Sequence, residues 1–267
     1  MRSFAYHQPG SISEAAALLS AVTESRPIAG GMTLLPTIKQ RLAAPEAVVD
    51  LSKVSGLTGV SEDGTSLTIG AMTRHAEVAK SALARARIPA LAALAADIGD
   101  PAVRNRGTLG GSVANNDPAA DYPAAVLGLG ATIVTNEREI AADKFFVGLF
   151  ETALRPGEII AAIRFPAPLA AGYAKFKAPA SRFALVGVFV ARMNDGVRVA
   201  VTGAGPGVFR VASMEEALAR RFDPTAIAAI RIDADGLNSD MHAEAAYRAH
   251  LVTIMAKRAV ATALESA

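Results

Sequence analysis

Two short runs, Ala29-Gly30-Gly31-Met32-Thr33-Leu34-Leu35 and Thr108-Leu109-Gly110-Gly111-Ser112, each set adjacent glycines beside a hydroxyl residue. A backbone without Cβ atoms can press its N–H groups against phosphate oxygens, and a nearby hydroxyl adds a donor. Neither run has the Gly-x-x-x-x-Gly-Lys-Ser/Thr spacing, and neither is a Gly-x-Gly-x-x-Gly between a strand and a helix. If both touch one ligand, that ligand carries a pyrophosphate and is held by a less common architecture. Taken singly, each run is equally a tight turn that needs positive φ.

Asp117 and Asp121 follow the second run, in Asn115-Asn116-Asp117-Pro118-Ala119-Ala120-Asp121-Tyr122-Pro123. A carboxylate beside a diphosphate repels it unless aimed elsewhere, so a sugar hydroxyl is its natural partner. Turn capping by Asx side chains is the alternative. His75 has no second histidine, cysteine or carboxylate pair at metal spacing and reads as a helix-start residue. His242 and His250 lie eight apart, without the glutamate that metalloproteases place at such a site, and no metal is assigned to them. Gly203-Ala204-Gly205-Pro206-Gly207 reads as a turn, because Pro206 intervenes and no helix cap follows. Arg104 and Arg106 can meet phosphate, an acidic partner or solvent. No serine sits in a Gly-x-Ser-x-Gly elbow.

The surrounding pattern supplies elements to hold these residues. Ser11-Ile12-Ser13-Glu14 has the capping-box pattern and opens a helix over 15–20. Arg26-Pro27-Ile28-Ala29 reads as a buried strand that ends at the first glycine run. A helix over 34–41 and a strand over 47–51 follow. Strand, glycine turn, helix, strand is the order in which a turn grips phosphate oxygens. Next come a strand over 66–71, a helix starting at 73–78 and another over 88–98. The second glycine run falls in a long irregular segment, 99–123, of the kind that is usually functional. Strands over 131–135 and 159–165 close this region. The pattern changes after Pro166-Ala167-Pro168, which places a boundary near 170. Strands over 184–193 and 197–202 are joined through Asn194-Asp195-Gly196, a hairpin signal. A helix covers 213–221, and a last one runs from about 244 to the end, with Tyr247, Leu251 and Ile254 on one face.

The 267 residues suffice for one large domain or two to three small ones. Hydrophobic residues make up 51%, yet no apolar run approaches the roughly 18–20 residues of a membrane span. The first ten residues lack a signal-peptide core, so the reading is a soluble cytoplasmic protein. With no cysteine, the chain can form no disulfide, thiolate nucleophile, zinc ribbon or iron–sulfur cluster on its own thiolates. A net charge of +2 with 5% aromatics gives no sign of a nucleic-acid surface. The apolar content fits either alanine-rich helices or a large subunit interface.

Taken in order, Ala29 to Leu35, Ile69-Gly70-Ala71-Met72-Thr73, Val103-Arg104-Asn105-Arg106-Gly107-Thr108-Leu109-Gly110-Gly111-Ser112 and Asp121-Tyr122-Pro123 resemble the FAD-binding medium subunit of molybdenum hydroxylases. This is the family of carbon monoxide dehydrogenase and the xanthine dehydrogenase group. The likeness continues through Ser181-Arg182-Phe183-Ala184 and Tyr247-Arg248-Ala249-His250-Leu251. It implies an α+β protein with the FAD-binding fold of the vanillyl-alcohol-oxidase (PCMH) type. A small α/β lobe would span 1–55 and a larger α+β lobe 56–168. A C-terminal α+β domain, a three-stranded sheet with helices, would span 171–267. It further implies that FAD lies between the lobes with its diphosphate on both glycine runs. The residues expected to line it are Ile28, Ala29, Gly30, Gly31, Met32, Thr33, Leu34, Leu35, Gly70, Ala71, Thr108, Gly110, Gly111, Ser112, Asn115, Asp121, Ile160 and Lys177. Asp121 matches a carboxylate at the ribose or ribityl region, Lys177 a lysine near the flavin, and Ile160 a position packing on the ring system.

Two positions depart from the family pattern. Phe183 stands where the carbon monoxide enzymes carry a tyrosine beside the isoalloxazine, and Met32 replaces the more usual histidine. The resemblance also accounts for the missing cysteines, because it places [2Fe–2S] clusters in a small partner subunit and molybdopterin in a large one. The expected assembly is a dimer of heterotrimers, in which electrons cross the clusters to FAD and leave to an external acceptor. No catalytic acid or base is assigned, since the reactive atoms are those of the flavin. A stand-alone FAD oxidase of the same fold would need a base over the ring, and none stands out. A non-catalytic assembly subunit would have no need of intact glycine runs.

Overall fold

A computed structural model describes residues 2–265. Near the N-terminus, Ala5–His7, Ser25–Ile28 and Ala47–Asp50 form a parallel sheet with Ala47–Asp50 in the centre. Ala47, Val48 and Val49 are all buried, as a central parallel strand requires. The first helix is Ile12–Ala21, which starts before the expected 15–20 because Ser11 itself is the cap. The Ser11 hydroxyl accepts from the Glu14 N–H at 3.2 Å, while the Glu14 carboxylate accepts from Gly10 instead of the cap residue. The helix Leu34–Lys39 follows the first glycine run directly.

The middle of the chain folds into a five-stranded antiparallel sheet. Its order is Val60–Glu62, Ser66–Gly70, Ile160–Pro166, Thr132–Thr135 and Glu139–Ala141. Leu67, Ile69, Ile133, Ile163 and Phe165 alternate onto one buried face and pack with Leu91 and Leu94 of the helix Pro89–Ala96. The segment 99–123, expected to be irregular, instead contains the helices Pro101–Arg104 and Leu109–Asn115 and the start of Tyr122–Gly128. Asp100 caps the first through the Val103 N–H at 2.9 Å, and Thr108 caps the second through the Gly111 N–H at 3.2 Å. Helices this short carry too few turns to display an apolar period.

The C-terminal sheet has four antiparallel strands, Ala170–Lys177, Ala184–Met193, Gly196–Thr202 and Phe209–Arg210. The expected three-stranded sheet therefore gains a fourth strand, whose two residues are too few to show alternation. Both faces of the sheet are buried. Val186, Val188, Val190, Val199 and Val201 pack on the long helix Ala245–Glu265, whereas Phe189, Ala191 and Ala200 join the core of the middle sheet. On that helix Leu251 is buried, and Tyr247, one turn before it, is 46% exposed at the end of the same face. Its ring meets Phe176 edge-on at 6.2 Å. Residues 266 and 267, to which the expected helix extends, lie outside the described residues. Among the described residues no helix is long and apolar enough to cross a membrane.

Candidate functional site

A cavity of about 520 Å³ opens where the first glycine run, the helix Leu109–Asn115 and the segment Ser181-Arg182-Phe183 converge. Its size falls within the roughly 300–1,000 Å³ of small-molecule and cofactor sites. Ile28, Ala29, Gly30, Gly31, Met32, Thr33, Leu34, Ala71, Thr108, Gly110, Gly111, Ser112, Asn115, Asp121 and Ile160 line it. Phe183 and Met32, the two departures, line it as well and are 46% and 40% exposed. Three of the residues marked from the sequence are not on its wall. Leu35 lies against Gly31, where a Cβ would meet the Leu35 Cδ1 at 2.9 Å. Gly70 lies against the Leu57 carbonyl, with room for no Cβ (2.5 Å). The Lys177 ammonium is paired with Asp97, and its side chain is 45% exposed.

The two glycine runs do different work. In the first, Gly31 takes a φ of +74°, and the chain turns from the strand Ser25–Ile28 into the helix Leu34–Lys39. The N–H groups of Gly30, Gly31, Met32 and Thr33 make no hydrogen bond among the described residues. Four consecutive unpaired donors on a cavity wall are the chemistry an anion site requires. In the second run the N–H groups of Leu109 to Ser112 are already engaged. The Leu109 N–H bonds the Thr73 carbonyl (3.0 Å) and the Gly110 N–H the Ala71 carbonyl (2.8 Å). The Gly111 N–H bonds the Thr108 hydroxyl (3.2 Å), and the Ser112 N–H the Thr108 carbonyl (3.0 Å). Its glycines serve close approach, since a Cβ on Gly110 would lie 2.5 Å from that of Ala71. The runs also abut each other, for a Cβ on Gly30 would fall 2.1 Å from the Arg106 carbonyl oxygen.

The loop that carries the acidic residues is held from below. Asp117 makes the Asx turn, accepting from the Ala119 N–H at 2.9 Å. The Thr202 hydroxyl donates to the Ala120 carbonyl at 2.6 Å and lies 3.0 Å from that of Pro118. The Gly203 N–H adds a bond to the Pro118 carbonyl at 2.7 Å, so the C-terminal sheet grips this loop. Asp121 is buried beside the cavity, and burial raises its carboxyl above the usual carboxylate range, opposed chiefly by the Lys175 ammonium at 2.8 Å.

One wall residue, Glu158, carried no signal in the sequence. Glu158 has a fully buried carboxylate held by Arg138, with Nε at 2.9 Å and a terminal nitrogen at 3.0 Å. Its side-chain partners lie 20 and 23 residues away in sequence, which no local pattern exposes. His75 begins the helix His75–Lys80 as expected, but it is also buried on the cavity wall, with its ring 5.3 Å from that of Tyr122. The His75 Nδ1 and the Tyr122 hydroxyl have no hydrogen-bond partner among the described residues. Burial, seconded by Arg104, lowers the His75 pKa from 6.5 to about 4.

The sign of the resulting pH effect follows directly. Between pH 6.5 and about 4 the unfolded chain binds a proton at His75 that the folded chain refuses, so stability falls as pH drops through this window. His75→Leu is expected to flatten that part of the melting-temperature-against-pH curve. An unchanged slope would show that another group titrates there.

The donor set fits a dinucleotide with a sugar and a planar ring. Unpaired N–H groups and the hydroxyl residues Thr33 and Ser112 suit a diphosphate, Asp121 suits a sugar hydroxyl, and Ile98, Val103, Leu154 and Ile160 supply apolar wall for a ring. Residues 2–168 match the family model described as the FAD binding domain in molybdopterin dehydrogenase. The chain belongs to this family. The nicotine 6-hydroxylase medium subunit of Paenarthrobacter nicotinovorans is 38% identical over 97% of this chain and 96% of its own length. The carbon monoxide dehydrogenase medium chain of Hydrogenophaga pseudoflava is 34% identical over 96% of each. A solved structure of carbon monoxide dehydrogenase from Hydrogenophaga pseudoflava superposes with a TM-score of 0.90, at 35% identity, over 99% of this chain and 98% of that one. The fold is thus the FAD-binding fold of the vanillyl-alcohol-oxidase type, and the cofactor of this chain is FAD.

Proposed function

We propose that this chain is the FAD-carrying subunit of a molybdenum hydroxylase, working with an iron–sulfur small subunit and a molybdopterin large subunit. The observation that carries the reading is the end-to-end match to chains named medium subunit or medium chain of such enzymes. The assembly is a dimer of heterotrimers in the cytoplasm, and FAD binds in the cavity between the two glycine runs, with its diphosphate on the first. When bound, FAD supplies the redox chemistry, taking electrons from the iron–sulfur partner and releasing them to an external acceptor. The protein's part is binding and orientation. The N–H groups of Gly30 to Thr33 meet the diphosphate, Asp121 accepts from a ribose or ribityl hydroxyl, and Ile160 packs on the ring. Glu158, neutralised by Arg138, sits on the wall without presenting an unpaired charge to the ligand.

The purified full chain is expected to show the two visible absorbance bands of flavin, or to take up FAD on reconstitution. Co-expression with neighbouring coding sequences is expected to yield a complex containing iron, sulfur and molybdenum. A chain that stays colourless and never binds FAD defeats the cofactor reading. Substrate turnover by this chain alone would instead make it a stand-alone oxidase.

A further inference from the structure

The strand Ala170–Lys177 carries two lysines two residues apart, and the sheet treats them differently. Alternation puts Tyr173 and Lys175 on the face toward the middle sheet, opposite Ala174 and Phe176, which pack on the far side. The pairing register shifts between Phe176 and Lys177, with the extra residue, Leu185, on the partner strand, and both ammonium groups reach Asp97, that of Lys175 at 3.7 Å from Oδ2. Lys177 ends half-exposed, whereas the Lys175 side chain is 1% exposed. An ammonium this buried is tolerated only where its donors are met. Its nitrogen lies 2.8 Å from the Asp121 Oδ1, 2.9 Å from the Asp97 carbonyl and 3.2 Å from the Arg182 carbonyl. The Tyr173 hydroxyl donates to the same Oδ1 at 2.5 Å. Both donors therefore fall on one oxygen of Asp121, and Oδ2 makes no hydrogen bond among the described residues although Asp121 lines the cavity.

We propose that Lys175 is a positioning residue for the cofactor. It fixes Asp121 through Oδ1, so that Oδ2 is free to accept a hydroxyl of the FAD sugar or ribityl chain. Through the Asp97 and Arg182 carbonyls it also sets two segments that flank the cavity. Lys175 does not line the cavity; it acts through Asp121 and the two loops. The inference rests on the reading of the cavity as the FAD site.

The test is a double-mutant cycle on the flavin-stripped full chain, titrated with FAD. Lys175→Met and Asp121→Asn are each expected to weaken binding about 10- to 100-fold, the loss of a hydrogen bond to a charged group. The double variant is expected to bind no more weakly than the poorer single one, because the lysine works through the carboxylate. Wild-type affinity in Lys175→Met overturns the proposal. So do losses that multiply, or a loss fully explained by the fraction of apo chain unfolded at the assay temperature. Should Lys175→Met fail to fold, Tyr173→Phe removes a single hydroxyl donor from the same oxygen. Its smaller loss is expected to vanish in the Asp121→Asn background, and losses that multiply there overturn the shared-oxygen arrangement. A wild-type chain that takes up no FAD overturns the site reading itself, whereas the other outcomes touch only the role of Lys175.

Discussion

Replacing Gly30 with alanine is expected to weaken FAD binding on the order of 100-fold, leaving a nearly colourless chain at flavin concentrations that just saturate the wild type. The added methyl would lie 2.1 Å from the Arg106 carbonyl oxygen, 2.7 Å from its carbon and 2.8 Å from the Gly107 Cα. All three are backbone atoms, so no side chain can swing aside. The first run must move away from Arg106, carrying its four unpaired N–H groups with it. Displacements of about 1 Å cost on the order of 100-fold where geometry matters. Overpacking adds about 1–3 kcal/mol of lost stability, read as a lower melting temperature. Gly207→Ala is the control, because nothing lies within 4 Å of its Cβ position. Wild-type FAD affinity in Gly30→Ala would show that the contact between the runs is not rigid.

The second large effect concerns acid stability. Glu158 is held at a pKa of about 2, against an ordinary 4.5, first by the Arg138 hydrogen bonds and then, against the cost of burial, by the Arg155 N–H and the Thr135 hydroxyl. A carboxyl with a lowered pKa contributes stability that is complete above about pH 4.5 and is lost as pH falls through 2. The contribution is about 3 kcal/mol at neutral pH. Glu158→Gln is therefore expected to lower the melting temperature at pH 7 by about 5–10 °C. The gap between variant and wild type should close between pH 4.5 and 2. Parallel melting curves across that range would assign the acid loss to other carboxylates.

How much of this was legible in the sequence depended on the range of the interactions. The first glycine run, the Ser11 cap and the Asn194-Asp195-Gly196 hairpin are local, and each produces the element its residues call for. The division of labour between the two runs is not local. Whether an N–H is free depends on which carbonyl lies opposite, and those of Ala71 and Thr73 reach the second run from more than thirty residues away. The same holds for the lysines. Sequence spacing cannot distinguish Lys175 from Lys177, because both reach Asp97 and only the tertiary contact with Asp121 sets the first apart. The short helices of 99–123 escaped notice because caps without a periodic run look like turns.

The grip of Thr202 and Gly203 on the loop before Asp121 has a consequence for the order of events during synthesis. Both glycine runs leave the ribosome long before Tyr173, Lys175 and Thr202 do. Until then Asp121 has neither of its Oδ1 partners, and the loop beneath it lacks its anchor. On the role proposed for Asp121, flavin capture waits for the C-terminal sheet. A cofactor that binds only the finished chain also protects it, by about 2.7 kcal/mol at a hundredfold excess over Kd. Cells short of flavin would then hold a fully translated but less durable subunit.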